Sequence, residues 1–556
     1  MRKSASRIGR RRGTARSDDG RKQTLMTILV SVLFICLSAW IFVVLGMLHC
    51  VTKQQNVIAD KDSSKQNEPT ITTTDLSIIT TTMRAFPPQF PVVTRGSSSS
   101  NSLDKDAVTM CSQTLWHTLE TTTIVLPNNE TFIHTGDIDD LWLRDSAAQV
   151  HPLLVPFLND GTTSLVQDDR KLARIVSGLI KRTATYIRHD PYANAFRIDD
   201  SYIFSDAQKK LGRHDLISTW NYELDSACYY MRLIYFFYKA IPDHPVLQEK
   251  TVQEAIEIMI TVWTAEQNHE DDEIAKGHLL DCGNCGKPYR YPGLQRQGKG
   301  TPVARTGMTW SGFRPSDDQC QYGYLVPANM FAVVALKYMA EVATHLWNSP
   351  VLASTATELA KEINDGILQH GIIDHPNHGR IYAYEVDGLG NYLLMDDANV
   401  PSLMSIPYLD YDFDEQIYAN TRRFILSDDN PTYFKGTNAM TGPMEGYGSP
   451  HMTARIRTNV WPMSLAIQAL TSKDVTEKIR LANILVKATA GTGWMHESFD
   501  INNPVSFTRS WFCWADGTFQ VECILRVFGI PKIVCRHGFT RVLSLPKLFL
   551  QNWSCQ

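Results

Sequence analysis

The chain carries no strong charge of either sign: its formal net charge is -4 over 556 residues. No general attraction to nucleic acid follows, and any basic feature acts locally. No G-x-G-x-x-G follows a strand pattern, there is no Walker loop, and convincing βαβ alternation is missing. These absences disfavour a nucleotide-binding sheet. H-E-x-x-H is also absent and the histidines do not cluster with ligand spacing, so no metal site is expected. The single C-x-x-C, Cys282-Gly-Asn-Cys285, has neither a second copy nearby nor a thioredoxin pattern around it. A local disulfide in an oxidising compartment is its preferred reading. No clear repeat is present, and spacing assigns no pairing among the other cysteines.

What is present begins with a basic segment, 1–23, carrying Arg2, Lys3, Arg7, Arg10, Arg11, Arg12, Arg16, Arg21 and Lys22. Leu25 to Leu48 then forms an uncharged apolar run of about 24 residues, long enough to cross a bilayer as one helix. It is longer than a cleavable signal core and holds Trp40 and Phe42 near its far end. Residues 24–48 are therefore expected to be a signal-anchor, with the basic segment cytoplasmic and the rest lumenal or extracellular, in the secretory pathway (Golgi, ER or cell surface). Residues 49–105, rich in Ser, Thr, Asn, Gln and Pro, read as a flexible stalk. Asn129-Glu130-Thr131 and Asn552-Trp553-Ser554 are glycosylation acceptors consistent with that topology.

From 106 to 530, apolar-periodic stretches (170–188, 225–240, 252–266, 327–348, 353–370, 460–470 and 478–490) recur between loops rich in Gly, Pro, Asp and aromatics. This pattern predicts one helical array or toroid whose long loops gather at one end. Residues 531–556 read as a poorly ordered tail.

The loops concentrate acids among aromatics. Asp317 and Asp318 follow Arg314-Pro315-Ser316 and lie close in sequence to Trp310, Phe313, Tyr322 and Tyr324. Aromatic faces suit the apolar faces of sugars, and an apolar surround raises a carboxyl pKa towards neutrality. Alternatively, Ser316 to Asp318 caps a helix opening near Leu325. Residues 135–150 bring together Asp137, Trp142, Arg144 and Asp145, as a ligand-binding group or a buried ion pair. Glu385 and Asp387 form one acidic turn, Asp396 and Asp397 another, and His496-Glu497 follows a glycine-rich turn. Several separated carboxylates in aromatic loops fit glycoside hydrolysis, which needs one acid and one base or nucleophile.

The motifs G-D-I-x-x-x-W-L-R-D-S-x-A-Q-V (136–150), D-P-Y-A-N-A-F (190–196), G-M-T-W-S-G-F-R-P-S-D-D (307–318), Y-L-V-P-A-N-M-F-A (324–332), E-V-D-G-L-G-N (385–391) and G-T-G-x-M-H-E-S-F (491–499) resemble glycoside hydrolase family 125. The resemblance covers about 106–530, in order. It implies an all-α (α/α)6 barrel and an inverting, metal-independent exo-α-1,6-mannosidase with no cofactor, acting on mannose-containing glycans. It implies an acid within R-P-S-D-D, with Asp318 preferred to Asp317, and Glu497 as base. It implies Asp137, Trp142, Arg144, Asp145, Trp310, Arg314, Glu385 and His496 around the terminal mannose. The rival readings are a type II Golgi glycosyltransferase, for which Asp137-Ile138-Asp139 supplies a D-x-D, an inactive glycan-binding protein, and a calcium-dependent α-1,2-mannosidase.

Overall fold

The apolar-periodic stretches fold as helices, and composition decides how deep each one lies. The computed structural model describes residues 105–155, 164–210, 213–271, 293–452 and 458–527, all within one compact unit, 86–556. The basic segment, the apolar run at 24–48, the stalk up to 104, Cys282, Cys285, Asn552 and the tail lie outside the described residues.

In chain order the long helices are α1 (Lys105–Thr122), α2 (Leu143–Leu154), α3 (Arg170–His189), α4 (Leu224–Ala240), α5 (Lys250–Glu266), α6 (Val326–His345), α7 (Pro350–His370), α8 (Glu415–Ile425), α9 (Pro462–Thr471), α10 (Val475–Ala488) and α11 (Cys513–Val527). Helix α9 packs on α11, α11 on α2, α2 on α4 and α4 on α6. Outside this inner row, α7 backs α6, α10 backs α9, α1 backs α11, and α3, carrying α5, backs α4. All seven predicted stretches fall in helices of the two rows.

The rows differ in sequence. Helix α3 buries Leu172, Ile175, Val176, Leu179 and Ile187 on one face and exposes Lys171, Arg174 and Arg188 on the other, the stripe expected of a helix with one wet side. Helix α6 is mostly apolar. By length and hydropathy it could cross a membrane, yet 83% of its most apolar window is buried inside the protein. Helix α2 escaped the periodic reading because every one of its residues is buried, its polar ones included, so it has no wet face to set a period. Helices α1, α8 and α11 were also missed.

The expectation of an all-α chain is corrected by short antiparallel sheets. Three of them join Leu141–Trp142, Ala195–Phe196 and Ile217–Thr219; Tyr324–Leu325, Glu385–Val386 and Tyr392–Leu393; and Asn459–Val460, Ser498–Asp500 and Asn503–Thr508. Strands end at Trp142, Leu325 and Val460, immediately before α2, α6 and α9. Val326-Pro327 and Trp461-Pro462 open α6 and α9. Proline suits a first helical turn and favours extended backbone before it, which leaves that backbone free to pair with neighbouring loops. The sheets thus collect the loops at the N-terminal ends of the inner helices. Cys111 is disulfide-bonded, whereas Cys228, Cys320 and Cys513 are free and buried.

Candidate active site

The stretch 310–324 is a loop pinned at its base. Trp310 is buried and stacks on His269 with ring centres 3.7 Å apart. Gly312 and Gly323 make room for it: an added Cβ would come within 2.8 and 2.2 Å of the indole. The Arg314 side chain reaches the fully buried Glu385 at 2.5 Å, and Glu385 also accepts the N–H groups of Gln321 and Tyr322. Ser316 Oγ donates to the buried Asp397. Between these anchors R-P-S-D-D closes a tight turn, with Asp317 N bonding Arg314 O, Arg314 N bonding Asp318 O, and Asp317 itself left-handed at φ 64°. Aspartate tolerates that conformation better than most residues. Residues 316–318 do not cap the next helix, since α6 starts at Val326 with Leu325 at its cap.

The turn presents Asp317 to a cleft that is partly open to solvent. Trp142, Arg144, Asp145, Asp317 and Glu497 all line it, joined by His451, Arg509 and the aromatic rings of Trp461, Phe512 and Trp514. Asp317 Oδ1 accepts from Asn194 Nδ2 at 2.9 Å and Trp142 Nε1 at 3.3 Å. Glu497 immediately precedes the strand Ser498–Asp500 and accepts from Arg509 Nε at 3.3 Å, while Arg509 Nη1 donates to Asp137 Oδ1 at 2.9 Å.

Beneath Asp317 lies a buried charge cluster. Arg144 contacts Asp145, Glu223 at 3.1 Å, Asp225 at 3.4 Å and Asp317 at 3.7 Å, and lies over the Trp514 ring. Burial works against its charge, yet the four carboxyl groups hold its pKa well up. Burial pushes the Asp145 carboxyl up to about 6, that of Asp225 up to about 7 and that of Glu223 well above its ordinary range, against the pull of Arg144. His451 donates to Asp318 Oδ1 at 2.9 Å, and this bond raises the imidazole to about 9.

The structure sorts the sequence candidates. Asp318 is turned to His451 and is not among the residues lining the cleft, and Asp137 borders it through Arg509. Trp310, Arg314, Glu385 and His496 are buried supports and do not line it. His496 stacks on Phe507 and bonds the carbonyls of Arg509 and Thr489, so it shapes the turn that carries Glu497. Asn194, Glu223, Asp225, His451 and Arg509 were missed. The runs T-W-N-Y-E-L-D at 219–225 and R-S-W-F-C-W-A-D at 509–516 repeat the acid-among-aromatics signal that marked the other loops. The absence of histidine clustering is also corrected. His375, His378 and Asp429 offer atoms within 4.8 Å of one another, although none of the three lines the cleft.

Comparison with known proteins identifies the family. The profile of the metal-independent alpha-mannosidase family (GH125) matches residues 104–525. The meiotically up-regulated gene 157 protein of Schizosaccharomyces pombe is 38% identical over 426 residues, covering 74% of this chain and 78% of that protein. A metal-independent alpha mannosidase of Streptococcus pneumoniae, solved as a non-productive substrate complex with alpha-1,6-mannobiose, is 34% identical with a TM-score of 0.65, covering 82% of this chain and 98% of that one. With a cleft of paired carboxylates and a match spanning most of its length, the chain belongs to glycoside hydrolase family 125, the metal-independent alpha-mannosidases.

Proposed function

We propose that the protein removes non-reducing terminal α-1,6-linked mannose from glycans with inversion at the anomeric carbon, Asp317 giving the proton to the leaving oxygen and Glu497 taking one from the attacking water. The observation that carries this reading is the single cleft lined by both carboxyl groups and by indole rings. Asp317 replaces Asp318 as the acid because Asp318 is engaged by His451 and does not itself line the cleft. Arg509, bonded to Glu497, orients the base; Trp142 and Asn194 orient the acid. The α-1,6 linkage is supported by the mannobiose held by the Streptococcus pneumoniae relative.

The inner and outer helix rows support closure as an (α/α)6 barrel. The basic segment followed by the apolar run at 24–48 supports a single-pass type II anchor that leaves the cleft lumenal or extracellular, where glycans are found. A glycosyltransferase reading gains nothing from Asp137, which is committed to Arg509.

The test is the anomer first released from α-1,6-mannobiose, followed by NMR. Inversion gives β-mannose; α-mannose as first product overturns the mechanism. Glu497→Gln and Asp317→Asn each lower kcat by on the order of 10²–10⁴-fold, with the fold retained by circular dichroism.

A further inference from the structure

We propose that His451 determines specificity for the sugar on the leaving side: Asp318 holds its imidazole at the mouth of the cleft, and the ring's second N–H donates to a hydroxyl of that sugar. The inference rests on the proposed cleavage of a terminal mannose, in which that mannose fills the enclosed end of the cleft and the rest of the glycan lies towards its mouth.

The lining residues define those two ends. Arg144, Asp145, Trp461 and Trp514 are at most 2% exposed, whereas the His451 side chain is 38% exposed and that of Asp317 34%. His451 therefore stands with the acid on the open side, where the leaving sugar is met. Arg509, the other exposed cation of the lining, is already bonded to Asp137 and Glu497. Of the two His451 nitrogens, Nδ1 is spent on Asp318, which leaves Nε2 as the polar atom available to a ligand.

The ring is fixed relative to the acid. The buried Asp397 carboxyl accepts Ser316 Oγ at 3.1 Å and Ser449 Oγ at 3.0 Å on one oxygen, and the backbone and side-chain N–H groups of Asn399 at 3.1 and 2.8 Å on the other. Ser316 precedes Asp317 and Asp318, and Ser449 precedes the short 3-10 turn Pro450–Met452, where His451 N bonds Ser449 Oγ at 3.3 Å. One carboxyl thus ties the acid's turn to that of His451, and the 2.9 Å bond between His451 and Asp318 joins them a second time. The paired aspartates divide the work: Asp317 faces the scissile bond and Asp318 orients its neighbour.

A carboxylate has no proton to give, so Nδ1 donates in that bond. The bond raises the imidazole to about 9 against the effect of burial, and at neutral pH Nε2 also carries a proton. An N–H on a charged ring bonds a hydroxyl oxygen more strongly than a neutral one does.

Two substrates test the inference in the full-length protein. α-1,6-Mannobiose releases a sugar that offers hydroxyls, whereas α-mannosyl fluoride releases an ion that offers none and needs no acid. His451→Ala is expected to raise KM for mannobiose about 10-fold with kcat within about threefold, and to leave both constants on the fluoride within about twofold. His451→Gln, whose amide still donates, recovers part of the loss, and Asp318→Ala, which frees the ring, raises KM for mannobiose in the same direction. An unchanged KM for mannobiose in His451→Ala, or equal rises on both substrates, overturns the inference and leaves His451 a surface clamp. A loss of kcat beyond about 100-fold on mannobiose alone in Asp318→Ala would make Asp318 the acid and overturn the division of work between the two aspartates. Failure of the wild-type chain to cleave either substrate would instead overturn the reading on which the inference rests.

Discussion

Buried carboxyl groups are the residues on which this protein's pH response depends, and not all of them serve the cleft. Asp410 accepts the Tyr338 hydroxyl at 3.4 Å, and burial pushes its pKa up to about 7. The folded protein therefore holds this proton more tightly than the unfolded chain, where aspartate titrates near ~3.9. The stability it contributes is complete below about pH 4 and is lost as the pH rises through about 7. Asparagine cannot ionise and tolerates the positive φ of 68° at this position. Asp410→Asn is expected to stabilise the protein by about 1–2 kcal/mol at pH 8 and by almost nothing at pH 4. Denaturant titrations at the two pH values check this, and an equal effect at both would refute it. The cleft acids cannot be replaced so freely, since Asp145, Glu223, Asp225 and Asp317 share a single arginine.

At the level of elements, the loop at 310–324 is as much a packing device as a chemical one. Its backbone runs so close to the Trp310 indole that Gly323→Ala would place a Cβ 2.2 Å from the ring and 2.9 Å from Val303. The ring is fixed by its stack on His269 and cannot easily retreat. Overpacking of this kind costs typically 1–3 kcal/mol, and the displaced turn carries Asp317. Gly323→Ala should therefore lower the melting temperature and kcat together, and an unchanged melting temperature would show that the loop can yield without cost. The same geometry explains why a sequence reading assigns Trp310 to the ligand: aromatic residues beside acids look alike whether they face a sugar or a core. The Trp142 indole, whose Nε1–H meets Asp317, does line the cleft.

For the molecule as a whole, every described contact lies within the unit 86–556, and the cleft draws on loops spread from Thr135 to Trp514. A chain lacking residues 1–85 is expected to fold and to cleave α-1,6-mannobiose with kcat within about twofold of the full chain, since catalytic power resides in groups that touch the substrate. Loss of activity on removing that segment, with the melting temperature unchanged, would show that the N-terminal segment takes part in the site. The family's metal independence gives a second check at this scale: chelation by EDTA should leave turnover unchanged, and recovery of lost activity by calcium would contradict it.

Local pattern was enough for much of this. Helices with one wet face, such as α3, declare themselves through their period, and the loops that matter were legible because acids, glycines and aromatics crowd in them. Helix α2, buried on all sides, left no such trace. Nor could residue types alone choose between Asp317 and Asp318, or separate Arg144, which lines the cleft, from Arg314, which is spent on Glu385. Those choices depend on which way a left-handed turn points and which partner waits in three dimensions. Burial and charge pairing act through space rather than along the chain, so only the tertiary structure could place Glu223, Asp225 and Arg144 around one acid and hand Asp318 to His451.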